Sequence, residues 1–280
     1  MSKKYLTGAI CFALTGSLLA ACGGEASSPA SGTAAETGVA AERADTSTEK
    51  AGTASDEAET AAKTGDASLL RQKYAESLRD LIRLHEFPNG VPVDTSYVED
   101  DDFSGNQFSV CDIDQDGTEE LLISYQDASM AGMVLYVFQY NAGTDAFTTE
   151  LAEFPSVRFY SNGYVAADSS HNQGKGGKFW PYTIYRYDQD TDVYERVAYI
   201  DAWEKEMLPD GFPEEADVSG GGYVYYISTE DGSGHAVEPQ DVSVYEALVA
   251  DTYGGAEEIN VEYDAITWEN IEGISVPEYD

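Results

Sequence analysis

From residue 107 onward, short runs of Tyr, Val, Phe and Ile alternate with turn residues, and this alternation constrains the fold of the chain more than any other feature. Aromatic and β-branched residues with a period of two are typical of antiparallel strands. The pattern predicts strands at 107–111, 120–125, 133–140, 146–151, 157–160, 164–167, 182–187, 193–200, 223–228 and 265–269. We therefore expect a mostly antiparallel β meander.

Helical periodicity is confined to a few segments. After Asp66, which is a favoured capping residue, Leu70, Tyr74 and Leu78 recur at four-residue steps until Pro88 ends the pattern. A short helix is predicted at 201–207 and a longer one at 239–253. The predicted fold class is α+β, with an N-terminal helix and a helix near the C-terminus, and an incomplete β-propeller is the alternative.

Two segments share a plan at an offset of 47 residues, since 137–147 (VFQYNAGTDAF) aligns with 184–194 (IYRYDQDTDVY). A true internal repeat favours a blade-like or meander architecture. Any two aromatic hairpins with polar turns would also look alike. Both interpretations stay open at this point.

The N-terminus has the order of features expected of an export signal: Lys3 and Lys4, an apolar stretch over 5–19, and then Leu-Ala-Ala-Cys at 19–22. The stretch is too short for a comfortable membrane-spanning helix. The segment resembles the bacterial lipoprotein box, and an ordinary signal peptide or a membrane helix is the alternative. The resemblance implies a signal peptide at 1–21, lipid on Cys22, and a location on the outer face of the bacterial plasma membrane.

Residues 22–65 are predicted to be a lipidated cysteine followed by a disordered tether, because 23–65 contain no aromatic residue and only Val39 as a large aliphatic side chain. A single globular domain is predicted at 66–280. Cys11 would leave with the signal peptide and Cys22 would carry lipid, so only Cys111 remains. We therefore expect no internal disulfide in the mature domain.

The chain is strongly acidic, with a formal net charge of −37. Binding to nucleic acid or to an anionic membrane surface needs clustered Lys and Arg, so the composition argues against both. It suits an extracellular surface and acidic loops that bind cations.

The sharpest motif is the acidic loop at 112–120 (DIDQDGTEE), which lies between two predicted strands. Calcium prefers six to eight oxygen ligands, and alternate residues of a tight loop can point carboxylates inward. The loop resembles the calcium loop of FG-GAP and VCBS repeats, and the chain resembles Firmicutes-type lipoproteins that carry one such motif. The resemblance implies calcium as the cofactor and assigns its ligands to Asp112, Asp114, Asp116, Thr118 and Glu120. An acidic turn without an ion is the alternative.

One basic, Gly-rich stretch stands out, at 171–180 (HNQGKGGKFW). It is not a phosphate-binding loop of the Walker type, because the order of Gly, Lys and Ser or Thr is wrong. A flexible loop and a ligand-contacting loop are the two interpretations. In the second, His171, Lys175, Lys178 and Trp180 are the candidate contact residues.

Two functions of different classes are compatible with these features, and no catalytic residue is predicted. The first is a calcium-stabilised surface module that is anchored to the membrane through Cys22 and binds an extracellular glycan or protein partner. The alternative is a hydrolase directed at cell wall or glycan that uses paired carboxylates. The lack of a nucleophile adjacent to a base favours the non-enzymatic module.

Overall fold

The structure is a computed structural model. It describes residues 53–229 and 237–274, with side chains from residue 67 onward in the first range. These residues belong to one compact unit. The predicted signal peptide, Cys22 and the part of the predicted tether before residue 53 lie outside the described residues.

Helices and strands are numbered in chain order. The described α-helices are α1 (Thr53–Leu84), α2 (Val242–Asp251) and α3 (Trp268–Gly273). The described strands are β1 (Gln107–Cys111), β2 (Glu120–Tyr125), β3 (Val134–Asn141), β4 (Ala146–Glu153), β5 (Val157–Tyr160), β6 (Tyr164–Asp168), β7 (Tyr182–Asp188), β8 (Val193–Glu204), β9 (Tyr223–Ser228), β10 (Glu258–Ile259) and β11 (Asp264–Ala265).

The strands form two open antiparallel sheets. The first has the order β11-β1-β2-β3-β4, and the second has the order β10-β5-β6-β7-β8-β9. Four consecutive strands are neighbours in the first sheet and five in the second, and each sheet has one short strand from the C-terminal region at its edge. The α+β meander predicted from the sequence is thus confirmed, with two blade-like sheets in the part of the chain that the structure describes.

Three hydrophobic clusters stack the elements into four layers. Tyr74 and Leu78 of α1 pack with Phe138 on one face of the first sheet. The other face of that sheet packs against the second sheet, where Leu122 and Phe159 belong to one buried cluster. The outer face of the second sheet packs against α2 in the third cluster. The order is helix, sheet, sheet, helix.

Strand β2 lies at the centre of this arrangement, and all of its residues are buried. Leu121 and Ile123 face α1, whereas Leu122 faces the second sheet. Successive residues of a strand point to opposite faces, so a strand with two covered faces is apolar along its length. The loop that precedes β2 is therefore attached to a rigid part of the core.

Helix α1 begins at Thr53, well before the start predicted at Asp66. Residues 53–65 of the predicted tether belong to this helix in the structure, and the disordered tether itself stays a prediction. That prediction rested on the lack of core-forming residues, but this segment is rich in Ala and Glu, which are strong helix formers. Extending a helix that is already docked needs no new nucleation, so local propensity is enough.

Two other local predictions are wrong. The helix predicted at 201–207 is the end of β8, which still pairs with β9 at Glu204 and Tyr223, followed by a single 3-10 turn at Lys205–Met207. The strand predicted at 265–269 ends at Ala265 as part of the short β11, and α3 begins at Trp268 because the Thr267 side chain caps this helix by accepting a hydrogen bond from the Asn270 N–H at 3.2 Å. The helix predicted at 239–253 is confirmed over a shorter range, as α2.

The two segments that align at an offset of 47 form equivalent hairpins, β3–β4 and β7–β8. Each has a bulge at the same position, between Val137 and Phe138 in the first hairpin and between Ile184 and Tyr185 in the second. Shared bulges are specific features of a backbone, so the alignment reflects a structural repeat.

Candidate metal centre

The acidic loop connects β1 to β2 in the first sheet, and its backbone is tightly curved. Two residues have positive φ, Gln115 at 66° and Gly117 at 95°. A residue with a Cβ atom is strained at a φ of 95°, which explains the glycine at position 117, whereas the angle of Gln115 lies in the left-handed region that other residues occasionally adopt. The loop joins two strands, as predicted.

The loop is curled around its own carboxylates. Asp112 Oδ2 accepts a hydrogen bond from the Gly117 N–H at 3.1 Å. Asp114 Oδ1 accepts from the Asp116 N–H at 2.9 Å, and Asp116 Oδ1 accepts from the Thr118 N–H at 2.6 Å. These bonds fix the three aspartates and leave the second oxygen of each carboxylate to point elsewhere.

Glu120, the first residue of β2, is completely buried. Its Oε2 accepts from the Ile113 N–H at 2.8 Å, and its Oε1 has no hydrogen-bond partner among the described residues. Desolvation by burial, followed by the charge of Asp114, raises the pKa of this carboxyl to about 10. Such a side chain at the base of the loop needs a proton or a cation.

Glu150 of β4 joins the loop from a neighbouring strand. Thr149 pairs with Phe138 and Leu151 pairs with Val137, so Glu150 is the extra residue of the bulge. It is 3% exposed, and neither of its carboxylate oxygens has a hydrogen-bond partner within the described ranges. Desolvation by burial and then the charges of Asp114, Asp192 and Asp116 raise its pKa to about 9.

Asp192, in the turn of the second hairpin, approaches from the other sheet. Its Oδ1 accepts a hydrogen bond from the Tyr187 hydroxyl at 2.6 Å. The sequence at 188–192 (DQDTD) lacks the glycine and the later acid of the calcium loop, so it predicts a polar hairpin turn, with a second ion site as the alternative. The hairpin turn is confirmed. The structure adds that Asp192 lies beside Asp114 and Asp116.

Two groups of acids have carboxylate oxygens within 4.8 Å of one another: Asp112 with Asp114 and Glu120, and Asp114 with Asp116 and Asp192. Four of the five predicted ligands are therefore brought together. Thr118 lies in the same loop, and the role of its carbonyl as a ligand stays a prediction. Because several buried carboxylate oxygens lack partners, these residues fit a metal ion.

Sequence reasoning missed Glu150, and it assigned Asp192 to a polar turn and not to the acidic loop. The bulge in β4 turns Glu150 inward, and a bulge is not visible in an alternating pattern. Asp192 reaches the centre only because the two sheets pack together. The alignment at an offset of 47 offered one indication that Glu150 faces inward, since it pairs this residue with Val197, which is apolar.

Asp114 is buried at the wall of an open polar cleft of about 770 Å³ that is also lined by Gln115, Ser161, Arg186 and Arg196. An ion site needs an entry path, and this cleft supplies one for a hydrated cation.

The candidate ligand loop at 171–180 is only partly brought together. His171 Nδ1 lies 3.1 Å from the Ser170 hydroxyl, and the Trp180 Nε1–H donates to the Ser169 carbonyl at 2.6 Å. Trp180 is 45% exposed. These two side chains therefore contact adjacent residues at one end of the loop.

The two lysines of the loop lie elsewhere. Lys175 Nζ is 4.2 Å from the ring centroid of Trp203 on β8, and the backbone of Lys178 hydrogen-bonds the Tyr223 hydroxyl. The four candidate residues thus do not converge on one point as the carboxylates of the acidic loop do.

None of the helices in the described ranges is long and apolar enough to cross a lipid bilayer. In comparisons with protein-family profiles, with curated proteins and with solved structures, the chain has no match.

Proposed function

We propose that this chain is a membrane-anchored extracytoplasmic lipoprotein whose folded part is a calcium-stabilised module that binds an extracellular ligand or partner. The observation that carries the proposal is the buried Oε1 atom of Glu120, which has no hydrogen-bond partner among the described residues and lies in the same group of acids as Asp112 and Asp114. A cation that compensates these charges would stabilise the folded module.

Calcium fits this donor set better than other common metals. Both groups of acids contain only carboxylates, and oxygen ligands suit hard cations. Magnesium demands a small octahedral cage and releases its waters reluctantly, whereas calcium accepts six to eight oxygens in a flexible geometry. The Thr118 carbonyl would add a neutral ligand in the same loop.

Thermal unfolding of the full chain in EDTA and in calcium tests the stabilisation. Free calcium at a hundred times its dissociation constant adds about 2.7 kcal/mol. For a chain of this size, that corresponds to a rise of about 5–10 °C in the melting temperature. Magnesium should raise it less. Asp114→Asn should abolish the calcium response, because Asp114 belongs to both groups of acids.

The matched control is Asp210→Asn, which removes the charge of an exposed acid outside both groups. It should keep the full calcium response. Identical melting curves of the wild-type protein in EDTA and in calcium would refute the proposed role of calcium.

The anchor is supported by the order of features from Lys3 to Cys22. Cys22→Ala should release the protein from membranes or leave the signal uncleaved. Membrane fractionation with detection of the processed form measures this. A normally processed Cys22→Ala protein that stays in the membrane fraction would refute lipidation at this cysteine.

The ligand-binding role is supported by the exposed aromatic side chain of Trp180, which is held by its bond to Ser169. Rigid aromatic surfaces bind sugars and proteins at low entropic cost. Screening of the full chain against glycans and cell-wall fractions, with Trp180→Ala as the test variant, should give binding that this change weakens. Binding that Trp180→Ala leaves unchanged would exclude this surface.

A further inference from the structure

The two groups of acids share a single residue. Asp112 and Glu120 form one group with Asp114, and Asp116 and Asp192 form the other group with it. Asp114 Oδ1 is occupied by the Asp116 N–H, and its Oδ2 is buried and accepts no hydrogen bond of good geometry from the described residues. The Tyr187 hydroxyl, which donates to Asp192, lies close to the same carboxylate. A carboxylate in this position can bridge two ions.

We propose that the centre binds two divalent cations bridged by Asp114. This inference rests on the proposed calcium site and extends it. The first cation is held by Asp112, Asp114 and Glu120. The second is held by Asp114, Asp116 and Asp192, with Glu150 beside them.

Glu150 is the independent sign of a second ion. It comes from a strand outside the acidic loop, it is almost completely buried, and both of its oxygens lack partners among the described side chains and backbone. The charges that act on it are those of Asp114, Asp192 and Asp116, which are the members of the second group. Two unpartnered buried oxygens beside three acids need a proton or a cation, and a cation would compensate the neighbouring charges as well.

The first hairpin turn shows how the fold neutralises the equivalent aspartate when no metal is used. Asp145 accepts a hydrogen bond from the Tyr140 hydroxyl at 2.6 Å, as Asp192 does from Tyr187. Lys73 of α1 lies 3.1 Å from Asp145 and supplies the positive charge.

Asp192 has no such partner. Its hydrogen bonds come from the neutral groups of Tyr187 and Gln139, and none of the ion pairs in the described ranges includes it. Its carboxylate lies within 4.8 Å of the carboxylates of Asp114 and Asp116. A bound cation would occupy the role that Lys73 has in the first turn.

The total charge also favours two ions. Six carboxylates meet here, contributed by Asp112, Asp114, Asp116, Glu120, Glu150 and Asp192. One divalent cation would leave a large negative excess in a largely buried space, and a second would remove about half of the remainder. Because Asp192 belongs to the second sheet and the other five acids belong to the first, the second cation would clamp the two sheets together.

The number of calcium ions bound per chain tests the proposal. Isothermal titration and native mass spectrometry of the full chain should both give two calcium ions for the wild-type protein. Asp192→Asn keeps the size and the Tyr187 hydrogen bond but removes the charge, and it should give one. Glu150→Gln should also give one, or weaken the second step at least tenfold.

The matched control is Asp145→Asn, the same change at the equivalent position of the first turn, and it should keep two ions. Circular dichroism in calcium verifies that each variant is folded. A single calcium ion in the wild-type protein would overturn the two-cation centre and leave the calcium loop intact. This holds whether Asp192→Asn binds that ion equally well or more weakly. No calcium in the wild-type protein would overturn the proposed function as well.

Discussion

The turns of the two hairpins have the same backbone and opposite electrostatic surroundings. In each, an aspartate with positive φ accepts a hydrogen bond from a tyrosine five residues earlier: Asp145 from Tyr140, and Asp192 from Tyr187. Around Asp145 the fold places the ammonium group of Lys73, and around Asp192 it places two further aspartates.

The difference follows from what covers each turn. Helix α1 packs on the first sheet and brings Lys73 to the first turn. The second turn faces the acidic loop instead, so its charge is not compensated by a side chain. A repeated scaffold can therefore hold its turn either with an internal ion pair or with an external cation, and only the packing of neighbouring elements decides which.

The largest expected difference between the metal centre and the first turn is in how each contributes to stability as the pH changes in EDTA. The folded metal-free protein keeps protons on Glu120 and Glu150 up to pKa values of about 10 and about 9, against an ordinary value of 4.5. Between about pH 5 and pH 9 the unfolded chain therefore binds fewer protons than the folded one, and stability should fall as the pH rises.

The contribution of Asp145 to stability should depend on pH in the opposite direction. The Tyr140 hydrogen bond and Lys73 lower its pKa, so its contribution is present above the unfolded pKa and is lost only in acid. Urea unfolding at a series of pH values measures both effects. The midpoint in EDTA should fall over this range, and saturating calcium should flatten the curve because the cation binds the ionised carboxylates. A midpoint that rises with pH in EDTA would contradict the assigned environment of Glu120 and Glu150.

A smaller effect is expected when the bulge residue of the first hairpin is replaced by that of the second. The substitution Glu150→Val introduces the residue found 47 positions later, at Val197. An unpartnered buried polar group costs about 1–3 kcal/mol. In EDTA the variant should therefore be more stable than the wild-type protein by about 1–3 kcal/mol, and it should gain less from calcium.

Urea unfolding in EDTA and in calcium measures both changes. Glu153→Gln, in the same strand but with its side chain bonded to the Tyr185 hydroxyl, is the control, and it should leave the gain from calcium unchanged. A Glu150→Val protein that is less stable in EDTA and keeps the whole calcium effect would show that Glu150 is not part of the ion site.

Sequence reasoning could predict those features that depend on local pattern. The strand β2 and the acidic loop before it were predicted at their observed positions, because alternation and turn residues act over a few neighbours. The end of β8 was not predicted correctly, because the sequence around Ala202 and Trp203 is also compatible with a helix and only the pairing with β9 makes it a strand. Pairing partners that are distant in the chain leave no local signal.

The same limit applies to the candidate site. Asp112, Asp114, Asp116 and Glu120 were found because their spacing alone carries the chemistry of calcium. Glu150 depends on a bulge and Asp192 depends on the packing of two sheets, so neither could be assigned from its neighbours in sequence. The contribution of Lys73 to the first turn was equally hidden, because α1 precedes that turn by about sixty residues.

The smallest expected effect is that of removing the internal cation from the first turn. Lys73→Met keeps the length and apolar stem of the side chain but leaves Asp145 without its ion pair. Exposed ion pairs contribute little to stability and are screened by salt, so the melting temperature should fall slightly at low salt and match the wild-type value at high salt. The variant should not bind an additional calcium ion, because Asp145 belongs to no group of three acids in the described part of the chain. Calorimetric titration of Lys73→Met against the wild-type protein measures this. An extra calcium ion in Lys73→Met would mean that removing a counter-charge is enough to make a site, and that the converging carboxylates around Asp192 are not what separates the two turns.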